Sequence, residues 1–257
     1  MKTVFVGPIV ALCTLGCALM PLAPASAQSD QPTGTITVSA AASLTDVFPA
    51  IARAFTKRYP GTKVQFNFAG SSTLVEQVLA GAPVDVLATA SEPTMWKAVQ
   101  AGAAEQPLHF AKNTMMVVTP ADNPAHIAKF SDLSRPGVLV AVCAIAVPCG
   151  SAARDLFAKN AITVKPVTQE LDVRSVLSKV VAGEVDAGIV YVTDARSAGS
   201  EVTALAVPPA INVTTTYPIA AVKDSSNPFT ARAFVQYVRF TTSAQGLLRA
   251  YGFSKPW

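Results

Sequence analysis

The chain has 257 residues and a net charge of +4, with 51% hydrophobic and 14% charged residues. Disordered chains combine low hydrophobicity with high net charge, so this composition excludes disorder. The 20 Lys and Arg residues are scattered singly and form no basic stripe that could follow a phosphate backbone, which argues against a nucleic-acid-binding protein.

The N-terminal residues have the pattern of an export signal. Lys2 precedes an apolar stretch at 4–22, and residues 25–27 (ASA) match the small-residue cleavage signature. We therefore predict that residues 1–27 are a signal peptide. The alternative is an uncleaved anchor helix, which the prolines in the stretch and the cleavage signature disfavour. No later segment reaches the about 20 apolar residues of a transmembrane helix, so we expect a soluble, exported mature protein.

A second interpretation of this leader stays open. Leu15-Gly16-Cys17 resembles part of a lipobox, in which Cys17 would carry a lipid anchor and become the new N-terminus. Thr14 is a poor residue for the first lipobox position, and the residues after Cys17 stay apolar instead of forming a polar tether. Cleavage after Ala27 is therefore favoured.

Two cysteines, Cys143 and Cys149, lie beyond the leader. In an oxidising compartment a close pair of this kind forms a disulfide. A metal site would need more Cys or His nearby, but the histidines are distant in sequence, and a redox motif would usually be C-x-x-C. We predict a structural disulfide between the two.

The first half of the mature chain alternates strands and helices. Strands are predicted at 35–40, 64–68 and 84–88, and helices at 44–59, at 74–80 and around Trp96 and Val99. Pro49 removes a backbone donor inside the first helix, so a kink or a start nearer Pro49 is open. This alternation is typical of parallel sheets wrapped by helices.

The pattern continues after residue 115. Strands are predicted at 115–119, 138–142, 187–192 and 202–207, an extended stretch at 214–222, and helices at 151–159, at 173–181 and in the C-terminal segment. The extended segments around 113–119 and 216–223 could cross between two lobes, although periodicity alone does not show it.

The chain lacks the usual catalytic signatures: the phosphate-binding G-x-x-x-x-G-K-[ST], the dinucleotide-binding G-x-G-x-x-G, the zinc motif H-E-x-x-H and the nucleophile motif G-x-S-x-G. His109 and His126 lie in loop-like sequence and belong to no visible Ser/His/Asp arrangement. Without an evident base, catalysis by a serine nucleophile has little support.

Three turns instead share one sequence pattern, at 41–44 (AASL), 69–73 (AGSST) and 147–151 (VPCGS). Each follows a predicted strand, consists of small or hydroxyl residues and runs into a helix, where free N–H groups and the helix dipole favour an anion. The alternative is that the serines are ordinary helix N-caps. Three such turns at the carboxyl ends of strands favour a binding cleft, since open α/β sheets bind ligands there.

A set of motifs gives the chain a family resemblance. They are AAASLT at 40–45, FAGSSTL at 68–74, GAPVDV at 81–86, DVR at 172–174, GIVY at 188–191 and RAYGF at 249–253. In this order, over nearly the whole mature chain, they resemble the molybdate-binding proteins, the exported substrate-binding components of molybdate ABC transporters.

The resemblance implies an α/β, two-lobed periplasmic-binding-protein fold of type II. Each lobe would be a mostly parallel sheet flanked by helices, with the ligand in the cleft between them. Residues 34–114 plus 217–257 would form the discontinuous first lobe, and residues 115–216 the second.

The resemblance also implies a ligand set of neutral groups. Ser43 and Ser71 would contribute hydroxyl and backbone N–H groups, Cys149 and Val173 backbone N–H groups, and Tyr191 its hydroxyl. No direct metal ligand is implied, because the molybdenum would be held through its oxygens. The chain departs from the family pattern at Cys149, where a small residue such as Ala is usual, but a backbone donor survives this change.

Donors without acceptors suit a fully deprotonated anion such as molybdate, tungstate or sulfate, whereas protonated phosphate also needs an acceptor. Asp46 and Asp172 are near the predicted site in sequence and could in principle accept, which weakens the argument against phosphate. Arg174 is expected to be a surface or supporting residue. Rejection of sulfate would depend on pocket size.

The expected function is high-affinity binding of molybdate and tungstate and delivery to an ABC transporter permease in the membrane. The resemblance implies an extracytoplasmic, periplasmic location, a monomer, no cofactor, no nucleic-acid partner and no enzymatic activity. The alternatives are a receptor for sulfate or another tetrahedral oxyanion, an exported α/β hydrolase, and a passive surface or adhesion domain.

Overall fold

The computed structural model describes residues 1–5, 7 and 31–257. Most of the predicted signal peptide at 1–27 lies outside the described residues, and so does Cys17, the position of the alternative lipid anchor. Residues 31–257 belong to one unit of the chain. In the part of the chain that the structure describes, no helix has both the length and the apolar character needed to cross a bilayer.

Strands and helices alternate along residues 31–257. The strands are β1 (Gly34–Ala41), β2 (Thr62–Ala69), β3 (Val86–Ala88), β4 (Leu108–Pro120), β5 (Val140–Cys143), β6 (Thr168–Glu170), β7 (Ala187–Tyr191), β8 (Val202–Ala206) and β9 (Thr214–Ala221). The α-helices are α1 (Val47–Arg58), α2 (Ser71–Leu79), α3 (Glu92–Gln100), α4 (Pro148–Lys159), α5 (Val173–Val181), α6 (Val192–Ala198), α7 (Pro228–Phe240) and α8 (Thr242–Ala250). Short 3-10 turns lie at Ala42–Leu44, Phe130–Ser134 and Gly199–Glu201.

The strands pair in the order β2-β1-β3-β9-β4-β7-β5-β6, with β8 added to β4. Strand β4 changes partners along its length: residues 108–114 pair with β9, and residues 115–120 with β7 and β8. We call β2, β1, β3, β9 and residues 108–114 the first half-sheet, and the remaining strands the second half-sheet. The predicted lobe boundaries at 114/115 and 216/217 fall within β4 and β9, and they stay predictions.

The core of the first half-sheet is formed by alternate residues of β1 and by aromatic rings on the helices. Ile36 and Val38 of β1 are fully buried, and Phe48 and Phe55 of α1 are fully buried above the sheet. The Phe55 ring meets Phe234 of α7 edge to face, with 5.2 Å between ring centroids. Each such burial contributes about 1.5–3 kcal/mol, which fixes α1 and α7 against the strands that carry the turns.

The first helix begins later than residue 44. Residues Ala42–Leu44 form a 3-10 turn and α1 begins at Val47, so Pro49 is its third residue. The N–H groups of a first helical turn have no partner inside the helix, and a proline there removes no bond. The alternative of a helix start nearer Pro49 is therefore confirmed.

Two elements escaped prediction. Strand β6 has three residues and carries too little pattern to be recognised. Helix α6 follows β7 with no intervening turn, because Tyr191 ends the strand and is also the N-cap of the helix.

The predicted disulfide between Cys143 and Cys149 is confirmed. Cys143 ends β5 and Cys149 is the second residue of α4, so the bond fastens the strand to the first turn of the following helix. A Cβ on Gly150 would overlap the Ala144 carbonyl group, so only glycine allows this close approach.

Candidate functional site

A cavity lies where the turns of the two half-sheets meet. All five residues predicted as ligand contacts line it. Its lining comprises Ala41, Ala42, Ser43, Gly70, Ser71, Ala90, Val147, Pro148, Cys149, Leu171, Asp172, Val173 and Tyr191. None of these lining residues is Lys, Arg or His, so the cavity has no cationic side chain on its wall.

Three helices begin at this cavity. Ser71 is the first residue of α2, Cys149 the second of α4 and Val173 the first of α5. The first N–H groups of a helix have no partner within it, and the helix dipole adds positive potential at that end. The three N-termini therefore form an environment that favours an anion.

The hydroxyl groups of Ser43 and Ser71 are held by other groups and do not cap helices. Ser43 Oγ lies 2.9 Å from the hydroxyl oxygen of Tyr217. Ser71 Oγ accepts a hydrogen bond of 3.0 Å from the backbone N–H of Ala90. The N-cap of α2 is Gly70, which has no side chain. The alternative interpretation of these serines as N-caps is therefore wrong.

Tyr191 ends β7 and its side chain is 1% exposed. Among the described residues, its hydroxyl has no hydrogen-bond partner. Burial raises the pKa of this phenol well above its ordinary value, so Tyr191 stays neutral at neutral pH. Since an unpaired buried hydroxyl is costly, this group is suited to donating to a ligand in the cavity.

The two carboxylates considered as acceptors for phosphate are both engaged elsewhere. Asp172 is the N-cap of α5, and its carboxylate accepts from the Ser175 N–H and the Ser175 hydroxyl, each at 2.9 Å. Asp46 forms an ion pair with Arg174. Acceptor capacity for a protonated ligand is accordingly reduced on this side of the cavity.

Arg174 joins two carboxylates outside the cavity lining. Besides Asp46, its Nε lies 2.9 Å from Oδ1 of the fully buried Asp194. Burial raises the pKa of Asp194 to about 7, against the opposing effect of the Arg174 charge. Asp194 also accepts from the Tyr191 N–H at 3.2 Å. The sequence offered no signal for Asp194, because it lies on the unpredicted helix α6.

Contacts between the half-sheets bring the turns together around the cavity. The Ser72 hydroxyl, on α2, donates to the Ala146 carbonyl group, before α4, at 2.8 Å. A Cβ on Gly70 would overlap the carbonyl oxygen of Leu171. With the Arg174–Asp46 ion pair, these contacts describe a cleft closed on several sides.

The geometry does not support a hydrolase. The partners of the Ser43 and Ser71 hydroxyls are a phenol and a backbone amide, and burial raises the pKa of Tyr217, so neither partner is a base. His109 instead pairs with Glu92 at 2.8 Å in an exposed position. Among the described residues, no group of three or more His, Cys, Asp or Glu side chains is arranged to hold a metal ion.

Comparisons with known proteins establish the family. The model of the family "Bacterial extracellular solute-binding protein" matches residues 36–254. The molybdate-binding protein ModA of Mycobacterium tuberculosis is 44% identical over 238 residues, which are 91% of this chain and 90% of the relative. The chain belongs to the extracellular solute-binding proteins, in the molybdate-binding protein family. This membership confirms the predicted family and the prediction of a protein that is not an enzyme.

Solved structures confirm the predicted fold class. The periplasmic molybdate-binding protein of Azotobacter vinelandii has a TM-score of 0.76 at 17% identity, covering 86% of this chain and all of its own. The sulfate-binding protein SubI of M. tuberculosis has a TM-score of 0.75 at 25% identity, covering 86% of each chain. The protein therefore has the two-lobed α/β fold of periplasmic binding proteins, and as a family member it acts outside the cytoplasm.

The burial of Asp194 predicts a pH-dependent stability. The Asp194 carboxyl group would lose its proton near pH 4 in the unfolded chain and near pH 7 in the folded protein. The contribution of Asp194 to the free energy of unfolding therefore falls as pH rises from about 4 to about 7 and is constant above pH 7. We expect Asp194→Asn to remove this decline, a difference on the order of a few kcal/mol.

Urea unfolding of the ligand-free protein at several pH values would measure this effect. Asp155→Asn is the matched control, because Asp155 is exposed and pairs with the neighbouring Arg154. Parallel stability curves for the wild type and Asp194→Asn would contradict the prediction.

Proposed function

We propose that the protein binds molybdate and tungstate outside the cytoplasm and delivers them to the membrane permease of an ABC transporter. The observation that carries this proposal is the cavity itself, which combines three helix N-termini with buried neutral hydroxyls and has no cationic side chain in its lining. The 44% identical relative, named as a molybdate-binding protein, supports the choice of ligand.

In this proposal, five residues hold the oxyanion. Ser43 and Ser71 donate through their hydroxyl and backbone N–H groups, Cys149 and Val173 through their backbone N–H groups, and Tyr191 through its hydroxyl. Each charge-assisted bond contributes about 1.5–3 kcal/mol. Several of them, together with three helix dipoles, can disperse the charge of a dianion. The disulfide of Cys149 would keep the α4 turn in place.

The size of the cavity supports a small ligand. The space it leaves for the centres of water-sized molecules is about 20 Å³, which makes it much smaller than the roughly 300–1,000 Å³ pockets that hold drug-sized molecules. A tetrahedral oxyanion suits this space, whereas a peptide or an oligosaccharide does not. We propose that the protein works without a cofactor, since the oxyanion is its cargo.

Sulfate is the second candidate ligand. The solved structure of a sulfate-binding protein is as similar in fold as that of a molybdate-binding protein, so the fold does not distinguish the two ligands. Both are fully deprotonated and suit a donor-only site. The molybdate-binding relative is the more similar in sequence, which favours molybdate.

We further propose a periplasmic or comparable extracytoplasmic protein that acts as a monomer and has no nucleic-acid partner. A signal peptide at 1–27, cleaved after Ala27, would deliver it there. Mass spectrometry of the mature N-terminus distinguishes this cleavage from a lipid anchor at Cys17.

Calorimetry with four oxyanions tests the ligand. We expect heat from molybdate and tungstate at submillimolar ligand concentration, and weaker or no binding of sulfate. We expect none of phosphate, because the nearby carboxylates Asp46 and Asp172 are engaged elsewhere and the proton of phosphate would lack an acceptor. If sulfate bound as tightly as molybdate, the protein would be a sulfate receptor. A response to none of the four oxyanions would refute the proposed function.

Removal of either serine hydroxyl should weaken binding. We expect Ser43→Ala and Ser71→Ala each to reduce molybdate affinity by about 1–3 kcal/mol, the cost of one lost donor to a charged ligand. Ser178→Ala is the matched control, since Ser178 is exposed on α5. Affinities of both variants equal to that of the control would exclude these hydroxyls from the ligand set.

Gly70→Ala tests closure of the cleft. The backbone of Gly70, with φ −59° and ψ 136°, suits alanine, but the added methyl group would overlap the Leu171 carbonyl oxygen across the cleft. We expect about tenfold or greater loss of molybdate affinity, since overpacking costs about 1–3 kcal/mol.

The matched control is Gly246→Ala in α8, where a new Cβ meets no atom within 4 Å. Small-angle scattering with saturating molybdate should give a larger radius of gyration for Gly70→Ala than for this control. Equal radii and equal affinities would show that Gly70 does not limit closure.

A further inference from the structure

A buried chain of polar side chains lies behind Ser43. It consists of Asn113 on β4, Tyr217 on β9 and Ser43 on the turn after β1, and these residues are at most 3% exposed. The amide Nδ2 of Asn113 lies 3.4 Å from the hydroxyl oxygen of Tyr217, which lies 2.9 Å from Ser43 Oγ. This hydrogen-bond chain therefore runs from β4, the strand that joins the half-sheets, to the cavity wall.

The Asn113 amide has a fixed orientation. Its Oδ1 accepts from the backbone N–H of Thr114 at 3.0 Å. Its Nδ2 faces the other way, towards the Thr193 hydroxyl oxygen at 2.9 Å and the Tyr217 hydroxyl oxygen at 3.4 Å. An amide nitrogen has only hydrogens to offer, so Tyr217 meets a donor on this side.

This orientation sets the direction of the next bond. The Tyr217 hydroxyl has one hydrogen. With a donor on its Asn113 side, we expect it to direct that hydrogen to Ser43 Oγ, the hydroxyl oxygen 2.9 Å away. Ser43 then accepts from Tyr217, and its own hydrogen is free to point into the cavity. In the reverse orientation Ser43 would use its hydrogen on Tyr217 and face an anion with a lone pair.

We propose that Tyr217, oriented by Asn113, is a positioning residue that makes Ser43 a hydrogen-bond donor to the oxyanion. The inference rests on the proposed function, since it assigns Tyr217 a role in that same site. Tyr217 does not line the cavity, so its effect on the ligand passes through Ser43.

The packing of Tyr217 allows its hydroxyl to be removed alone. Its ring meets Phe110, Tyr191 and Phe253 edge to face, with centroid distances of 6.2, 5.9 and 5.3 Å. Tyr217→Phe keeps this ring in place and deletes only the oxygen. Tyr59→Phe is the matched control, because the Tyr59 hydroxyl bonds to Arg58 at the surface.

The test is a double-mutant cycle in molybdate and tungstate affinity with Tyr217→Phe, Ser43→Ala and the double variant. We expect Tyr217→Phe alone to weaken binding about 2- to 12-fold, the range for one hydrogen bond. In the Ser43→Ala background the same change should have less than about a twofold effect, because no hydroxyl is left to orient. The Tyr59→Phe control should bind like the wild type.

Two results would overturn the inference. Unchanged affinity of Tyr217→Phe would show that the orientation of Ser43 does not matter, and an equal loss in the Ser43→Ala background would show that Tyr217 acts by another route. Should Tyr217→Phe fail to fold, Asn113→Asp serves instead. Its carboxylate would accept from Tyr217 and reverse the direction of the hydrogen bonds between position 113 and Ser43. A loss of molybdate affinity at least as large as that expected for Tyr217→Phe supports the inference, and wild-type affinity overturns it.

The same cycle in ligand-free urea unfolding separates this inference from the proposed function. Coupling between Tyr217→Phe and Ser43→Ala of about 2- to 12-fold in the unfolding constant demonstrates the hydrogen bond without ligand. If that coupling is found but the wild type binds no oxyanion, the proposed function fails and the role toward the anion fails with it. If the wild type binds molybdate and the coupling is absent, only the inference is overturned.

Discussion

An anion buried without a countercharge must be held by donors whose direction is already fixed. Burying a charge is expensive unless hydrogen bonds replace its water, and a hydroxyl that can turn its lone pair to the anion would repel it. The fold meets this constraint by bringing three helix N-termini and the hydroxyls of Ser43, Ser71 and Tyr191 to one cavity. The strand order, the positions where the helices begin and the buried hydrogen-bond partners of the serines together produce that arrangement.

Positive charge is present near the cavity but is kept out of its wall. Arg174 is adjacent in sequence to the lining residue Val173, yet it is neutralised by Asp46 and Asp194. Burial raises the pKa of Asp194 to about 7 and the Arg174 charge opposes this rise, so the charge of Asp194 depends on Arg174. The consequence is a bridge between the half-sheets that leaves the cavity lining without a cationic side chain.

The local parts of the site could be predicted from the sequence. The turns at 41–44, 69–73 and 147–151 have small residues at strand ends, and the Cys143–Cys149 pair is six positions apart, so each signal lies within a short window. The Ser43–Tyr217 bond joins residues 174 positions apart and the Arg174–Asp46 pair residues 128 apart. Such contacts depend on the sheet order, which periodicity does not encode. The ligand contacts themselves stay predictions.

The two serines reach the same donor orientation by unequal means. Ser71 Oγ accepts from the backbone N–H of Ala90, a group that most substitutions at position 90 would leave in place. Ser43 Oγ depends on the Tyr217 side chain, and that side chain on Asn113. Because β4 carries Asn113 and β9 carries Tyr217, a shift in the pairing of these two strands would change the contacts of Ser43. The orientation of one donor is therefore tied to the strand that joins the two half-sheets.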